Sequence, residues 1–280
     1  MQSQPHRFET SDGRLLAGAS YGPADGRPVL FVAGAATGKS MTFGENYLDD
    51  ARVRLLTMDR PGMGDSTADP ERTISSTAAD YLTFARSVFG EVRPSVVANS
   101  QGSVFALALA LGGEIDRLVL VSPADEVAHP DIHAMLPAEA TALSDLAQQE
   151  PGKAALILQG FSAEAMEGMV LNSAGVVDRD FYRSEPFLTR YRLALAEGFS
   201  NNGEGYVRDT LLAMRSWDLN FGAIRRPVEI LFGEQDLGHS PDHGETLTAR
   251  IPGATRTVFA DAGGALLWTH APTVLKAAIK

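Results

Sequence analysis

Three stretches of this 280-residue chain hold residue types that could do chemistry. The first is Ala98-Asn99-Ser100-Gln101-Gly102. Val96 and Val97 before it are β-branched and suit a buried strand, and Ser103 to Leu111 after it is a run of good helix formers, so Ser100 falls at a strand-to-helix hinge. A serine at such a hinge is either a nucleophile held out at the turn or a cap on the first amide groups of the helix. The second stretch, Ala33-Gly34-Ala35-Ala36-Thr37-Gly38-Lys39-Ser40, is one residue away from a phosphate-cradling loop, and Asp59-Arg60-Pro61-Gly62 mimics the D-x-x-G of a nucleotide switch. Alanine at 33 in place of the loop's first glycine, the short interval between Lys39 and Asp59, and the lack of an N-K-x-D run count against that reading. The third group is the histidines. None has zincin spacing, and Pro241 breaks the helix that His239 and His243 would need to share a metal, so no metal site and no cofactor are expected.

The rest of the chain limits what these residues can serve. It holds no cysteine, which excludes disulfides, thiolate ligands and a cysteine nucleophile. A net charge of −11 would be repelled by nucleic acid and by anionic membranes, so the expected partner is an apolar or acyl small molecule, with the chain a monomer or homodimer. The start, M-Q-S-Q-P-H-R-F, lacks a basic segment followed by an apolar core, and no apolar run approaches membrane-spanning length, which suggests a soluble cytoplasmic protein.

The elements that must position the candidates follow from the patterning. Asp12-Gly13 between extended runs predicts an N-terminal hairpin. Pro28 to Ala33, Val53 to Met58 and Leu118 to Val121 read as buried strands, Pro227 to Phe232 and Arg256 to Phe259 as further strands, and Ser75 to Phe89 as an amphipathic helix. From about Asp125 to Trp217 strand signals vanish. Five amphipathic helices are predicted there: Ala138–Gln149, Lys153–Phe161, Ala163–Leu171, Pro186–Phe199 and Gly205–Met214. The division is therefore a core of 1–124 with 218–280 and an inserted helical cap of 125–217.

With these elements in place, the chain resembles the cap-bearing α/β-hydrolases over about residues 5 to 280. Ala98-Asn99-Ser100-Gln101-Gly102 resembles the family's nucleophile elbow G-x-S-x-G with alanine for the first glycine, and Asp59 to Ser66 resembles its D-x-R-G-x-G-x-S loop. The resemblance implies an α/β fold, a doubly wound and mostly parallel sheet with helices on both faces and the site at the carboxyl ends of the strands. It makes Ser100 the nucleophile and the backbone N–H groups of Ala35 and Gln101 the oxyanion hole. Gly233-Glu234-Gln235-Asp236 resembles the family's G-x-x-D, which makes Asp236 the triad acid. The cap implies a substrate pocket, with Phe161, Met166, Met169, Phe187 and Tyr191 as candidates to line it.

One member of that machinery is not where the resemblance puts it. The loop after the last strand, Asp261 to Trp268, carries Gly264 at the position of the family's histidine. His270 resembles a structural histidine of the final helix, while His239, His243, His129 and His133 are the other candidates to reach Ser100. The reading adopted is that the base is absent and that Asp236 points at an empty space beside Gly264. The function expected is a serine hydrolase of an ester, lactone or other acyl substrate, impaired or altered by that loss. The alternatives are a ligand-binding protein or a non-hydrolytic lyase or cyclase on the same scaffold. For the last of these, Asn99-Ser100 resembles the N-S of carbon–carbon bond hydrolases.

Overall fold

A computed structural model describes residues 3–280. Eight strands form one sheet in the order β1-β2-β4-β3-β5-β6-β7-β8: β1 (Gln4–Glu9), β2 (Leu15–Tyr21), β3 (Arg27–Val32), β4 (Val53–Met58), β5 (Ser95–Ser100), β6 (Leu118–Pro123), β7 (Val228–Gly233) and β8 (Thr255–Phe259). The first two strands are the predicted hairpin, closed through Gly13 at φ 81°, and they join the sheet antiparallel. From β4 to β8 every pairing is parallel, with Phe31 opposite Val97, Val97 opposite Val119 and Leu120 opposite Ile230. The central strands read as near-continuous apolar runs because both of their faces are covered.

Period-two alternation divides the core in two. Val29, Phe31, Val97, Val119 and Leu231 face one side, while Leu30, Val32, Val96, Leu120 and Ile230 face the other. The second face is packed by α2 (Ile74–Phe89) and α3 (Gly102–Gly112), after the short α1 (Leu48–Ala51), which packs on the first. Thr73 starts α2 with a reciprocal capping box through Ser76, which satisfies the N–H groups of both residues.

Between β6 and β7 the chain forms helices and no strand: α4 (Pro130–Met135), α5 (Ala138–Gln149), α6 (Pro151–Gln159), α7 (Ala163–Ser173), α8 (Arg179–Tyr182), α9 (Glu185–Gly198) and α10 (Glu204–Met214). Their apolar residues Leu158, Met166, Phe187, Tyr191 and Leu195 merge with the first core face, so this segment lies over the carboxyl ends of the strands. The chain closes with α11 (Glu245–Arg250), α12 (Leu266–Thr269) and α13 (Ala271–Ala278). Among the described residues no single helix is long and apolar enough to cross a membrane.

Candidate active site

Ser100 ends β5 with φ 50°, a left-handed conformation that a non-glycine residue adopts only where its surroundings impose it. Two close approaches impose it here. A Cβ on Gly102 would run into the carbonyl oxygens of Val32 and Ala33, and one on Gly34 would come within 3.2 Å of the Ser100 Cβ. The β5–α3 turn is thus pressed against the end of β3, and only small residues at 34 and 102 permit it.

The two peptide groups expected to hold an oxyanion are fixed from behind. The carbonyl of Ser100, in the same peptide unit as the Gln101 N–H, accepts from the Ala124 N–H at 3.0 Å and the Ser103 hydroxyl at 2.6 Å. The carbonyl of Gly34, in the same unit as the Ala35 N–H, accepts from Arg60 Nη2 at 2.8 Å. Among the described residues neither N–H donates to another group. In a trans peptide the N–H points opposite to the C=O, so both donors are turned away from their anchors.

Asp236 lies three residues past the end of β7 and is 4% exposed. Its carboxylate accepts from His239 Nδ1 at 2.9 and 3.0 Å and from the Gly238 N–H at 3.1 Å. Burial pushes the Asp236 carboxyl up, but the His239 charge and these hydrogen bonds outweigh it and hold the group below its ordinary value. His239 is the mirror case. Burial pushes the imidazole down, while the Asp236 charge, its hydrogen bond and the charge of Asp178 together hold it above its ordinary value. With Nδ1–H toward Asp236, Nε2 is left as the acceptor, and it makes no hydrogen bond among the described residues.

The expectation of an empty corner is therefore corrected. A Cβ placed on Gly264 would lie 3.4 Å from Asp236 Oδ1, 3.4 Å from the Tyr182 hydroxyl and 3.5 Å from His239 Cε1. The space beside Gly264 is filled by an imidazole, and that imidazole comes from the loop after β7. The family resemblance places the base after β8, whereas the histidine at Asp236 is His239, one of the other candidates to reach Ser100. The signal was the spacing of Asp236-Leu237-Gly238-His239, in which the side chain at i+3 folds back on the carboxylate. The other histidines lie elsewhere: His133 bonds Asp145 at 3.0 Å, His270 faces Asp261 at 3.6 Å, His129 accepts the Asp131 N–H, and His243 packs on the Phe232 ring.

A further carboxylate closes the corner and was not foreseen. Asp178, in the loop before α8, accepts from the Gly264 N–H at 2.7 Å and the Ala265 N–H at 3.2 Å. A Cβ on Gly263 would collide with it, which explains the small residue there. Burial raises the Asp178 carboxyl, against the pull of these two amide groups.

All five predicted positions, Ser100, Asp236, Gly264, Ala35 and Gln101, line one cavity of about 600 Å³ together with His239 and Asp178. Its walls include Phe161, Met166, Met169, Phe187 and Tyr191. Among the described residues no lysine or arginine lines it, whereas Asp125, Asp178 and Asp236 do. The phosphate-loop reading of Lys39 ends here as well. Its ammonium is held by Asp59 at 2.8 Å and by Asp65 and Glu197 at 3.4 Å, so a phosphate at that place would meet three carboxylates.

A sequence profile of the α/β hydrolase fold matches residues 27–271, and the chain belongs to that family. Among solved structures it is similar to a hydrolase from Pseudomonas aeruginosa PA01, with TM-score 0.71, 22% identity, and 98% of this chain and 96% of that one covered. It is also similar to the enol-lactonase from Burkholderia xenovorans LB400, with TM-score 0.69, 19% identity and 98% of each chain covered. An esterase, RhEst1 from Rhodococcus sp. ECU1013, aligns with TM-score 0.68 at 17% identity over 99% of this chain and 97% of that one. At such identities the likeness is one of fold. No curated protein matches the sequence. The family match supports an enzyme of hydrolase type.

Proposed function

We propose that the chain is a serine hydrolase that cleaves an ester or lactone whose acyl part is apolar and uncharged, with Ser100 as nucleophile and His239 as base. The observation that carries this reading is the Asp236–His239 pair, bonded at 2.9 Å and facing the cavity that also holds Ser100 on its strained turn. Ser100 Oγ attacks the carbonyl carbon as His239 Nε2 takes its proton, and Asp236 stabilises the imidazolium that results. The negative charge moves to the carbonyl oxygen, which the Ala35 and Gln101 N–H groups receive. His239 then returns the proton to the leaving alkoxide, and the acyl-serine is hydrolysed by a water that His239 deprotonates in turn. With an imidazole beside the acid, a ligand-binding role on a retired scaffold loses the missing base that suggested it.

The cavity lining supports the substrate class. Apolar walls hold an acyl chain or ring, and three aspartates without a lysine or arginine would repel a substrate carboxylate. Two measurements test the reading. A fluorophosphonate probe should label Ser100 in the wild-type chain, and a p-nitrophenyl ester of a neutral aliphatic acid should turn over at least tenfold faster in kcat/KM than the hemi-ester of a dicarboxylic acid of equal length. Failure to label Ser100, or a preference for the anionic ester, would overturn it.

A further inference from the structure

Arg60 and Asp209 do no chemistry in this scheme, yet they are among the most deeply buried charges in the protein, at 1% and 0% exposure. Arg60 follows β4 and sends its guanidinium under the end of β3. Nη1 donates to the carbonyl of Ala33 at 2.8 Å and Nη2 to that of Gly34 at 2.8 Å. Nε pairs with Asp209 of α10, and Asp209 also pairs with Arg72, itself fully buried. The next residue of the same helix, Thr210, accepts from the Gln101 side chain at 3.3 Å. Two successive residues of α10 thus reach the two peptide segments whose N–H groups face the cavity.

Resting on the serine-hydrolase reading above, we propose that Arg60 is the positioning residue of the oxyanion hole and that Asp209 of the cap fixes it there. The argument is one of peptide geometry. Gly34 C=O and Ala35 N–H belong to one rigid plane, so a guanidinium gripping the oxygen sets where the hydrogen points. A cation on that oxygen also draws electron density from the amide, which makes the N–H a better donor to a developing oxyanion. The second grip, on Ala33 O, removes the rotation that a single hydrogen bond would leave. The guanidinium itself is held by the carboxylate of α10, so the cap is part of the frame that orients the donor. α9 adds a contact from its own side, since the Gly38 N–H donates to Ala194 O at 3.0 Å and a Cβ on Gly198 would strike the Ala36 carbonyl. The loop that carries the Ala35 N–H is therefore held by Arg60, which α10 fixes, and by α9.

Arg60→Lys tests this with least damage to the fold, because lysine keeps a cation near Asp209 but lacks the planar fork that spans both carbonyls and that carboxylate at once. Expected is a fall in kcat of about 10- to 100-fold, short of the loss on deleting an oxyanion donor outright, with KM within threefold of wild type. Affinity for a trifluoromethyl ketone, which places an oxyanion in the hole, should drop by the same factor. Affinity for the corresponding plain hydrocarbon, an inert occupant of the cavity, should not change. Asp209→Asn, which frees the guanidinium without removing it, should give a smaller loss of the same pattern. As a readout apart from activity, the Ala35 amide proton should shift in the NMR spectrum of either variant. Wild-type rates in a folded Arg60→Lys protein would overturn the proposal, as would equal losses of both ligands or an unmoved Ala35 amide. Failure of fluorophosphonate to label wild-type Ser100 marks the other case, in which the hydrolase reading fails and takes this one with it.

Discussion

The turn that carries Ser100 and the corner that carries His239 meet at one cavity, but they are built from different materials. At the turn the geometry is fixed by backbone: a left-handed serine, a glycine whose Cβ would strike β3, and carbonyls anchored by Arg60, Ala124 and Ser103. The corner is an assembly of side chains from three segments, with Asp236 and His239 on the loop after β7, Asp178 from the helical segment, and Gly264 supplying only space. Backbone geometry ties a residue to its place in the chain. A space shared by several loops does not, and an imidazole can enter it from either side so long as the other side gives it up. Gly264 and His239 are in this view a single feature, since the atoms absent from one make room for the ring of the other.

The largest effects should come from breaking each region at its reactive atom. Ser100→Ala and His239→Ala are each expected to lower kcat by roughly five to six orders of magnitude on a neutral ester, because nucleophile and base act as a unit. Circular dichroism should show both variants folded. A His239→Ala protein that keeps even a tenth of wild-type activity would remove the imidazole from the mechanism.

A next-smaller effect sharpens the idea of a shared space. Gly264→His alone should lower activity by about tenfold or more, since its ring would compete with His239 for the Asp236 carboxylate at contacts already near 3.5 Å. Combined with His239→Ala, the same substitution should raise kcat by about 100-fold over His239→Ala alone, because the corner again holds one ring. Steady-state kinetics on the two single variants and the double variant form a cycle whose coupling term reads out the exchange. Additive losses would show that the two positions are independent.

The same contrast explains what the sequence disclosed. The turn was legible because its constraints are local: a β-branched run, a serine between small residues and a helix-forming run fall within twenty positions, and Gly102 is small for a reason the motif contains. The central strands were legible from their apolar runs, and helices such as Ala138–Gln149 from their periodicity. Short helices without a full period, α4 and α8, were not foreseen. Nor were the contacts that close the corner, because Asp178 meets Gly264 across 86 residues and nothing near Asp178 marks its role. His239 lay in plain view three residues from Asp236, but the fold-back that brings its ring to the carboxylate is a property of one loop's turn. The family resemblance points instead to the loop after the last strand, where Gly264 stands.

The smallest expected effect concerns Asp178, and its sign follows from the charges that face His239. Asp236 and Asp178 both favour the imidazolium, and together they overcome burial, so the pKa of His239 in the folded protein lies above its ordinary value of 6.5. The base must be neutral to accept the serine proton. kcat/KM should therefore rise with pH through a midpoint above 6.5 and level off beyond it. Asp178→Asn removes one of the two favourable charges, so the midpoint should move down by on the order of a few tenths of a pH unit, the effect of one screened neighbour. Folding follows the same linkage. A group whose pKa is higher in the folded than in the unfolded chain contributes stability that is complete below the unfolded value and is lost as pH rises through the folded one. The His239 contribution should thus be present below pH 6.5 and lost as pH rises through the folded value, and the change in urea midpoint along that rise should shrink in Asp178→Asn. An acid limb that stays in place or moves upward in that variant would mean that Asp178 acts on the corner only through the Gly264 and Ala265 N–H groups it holds.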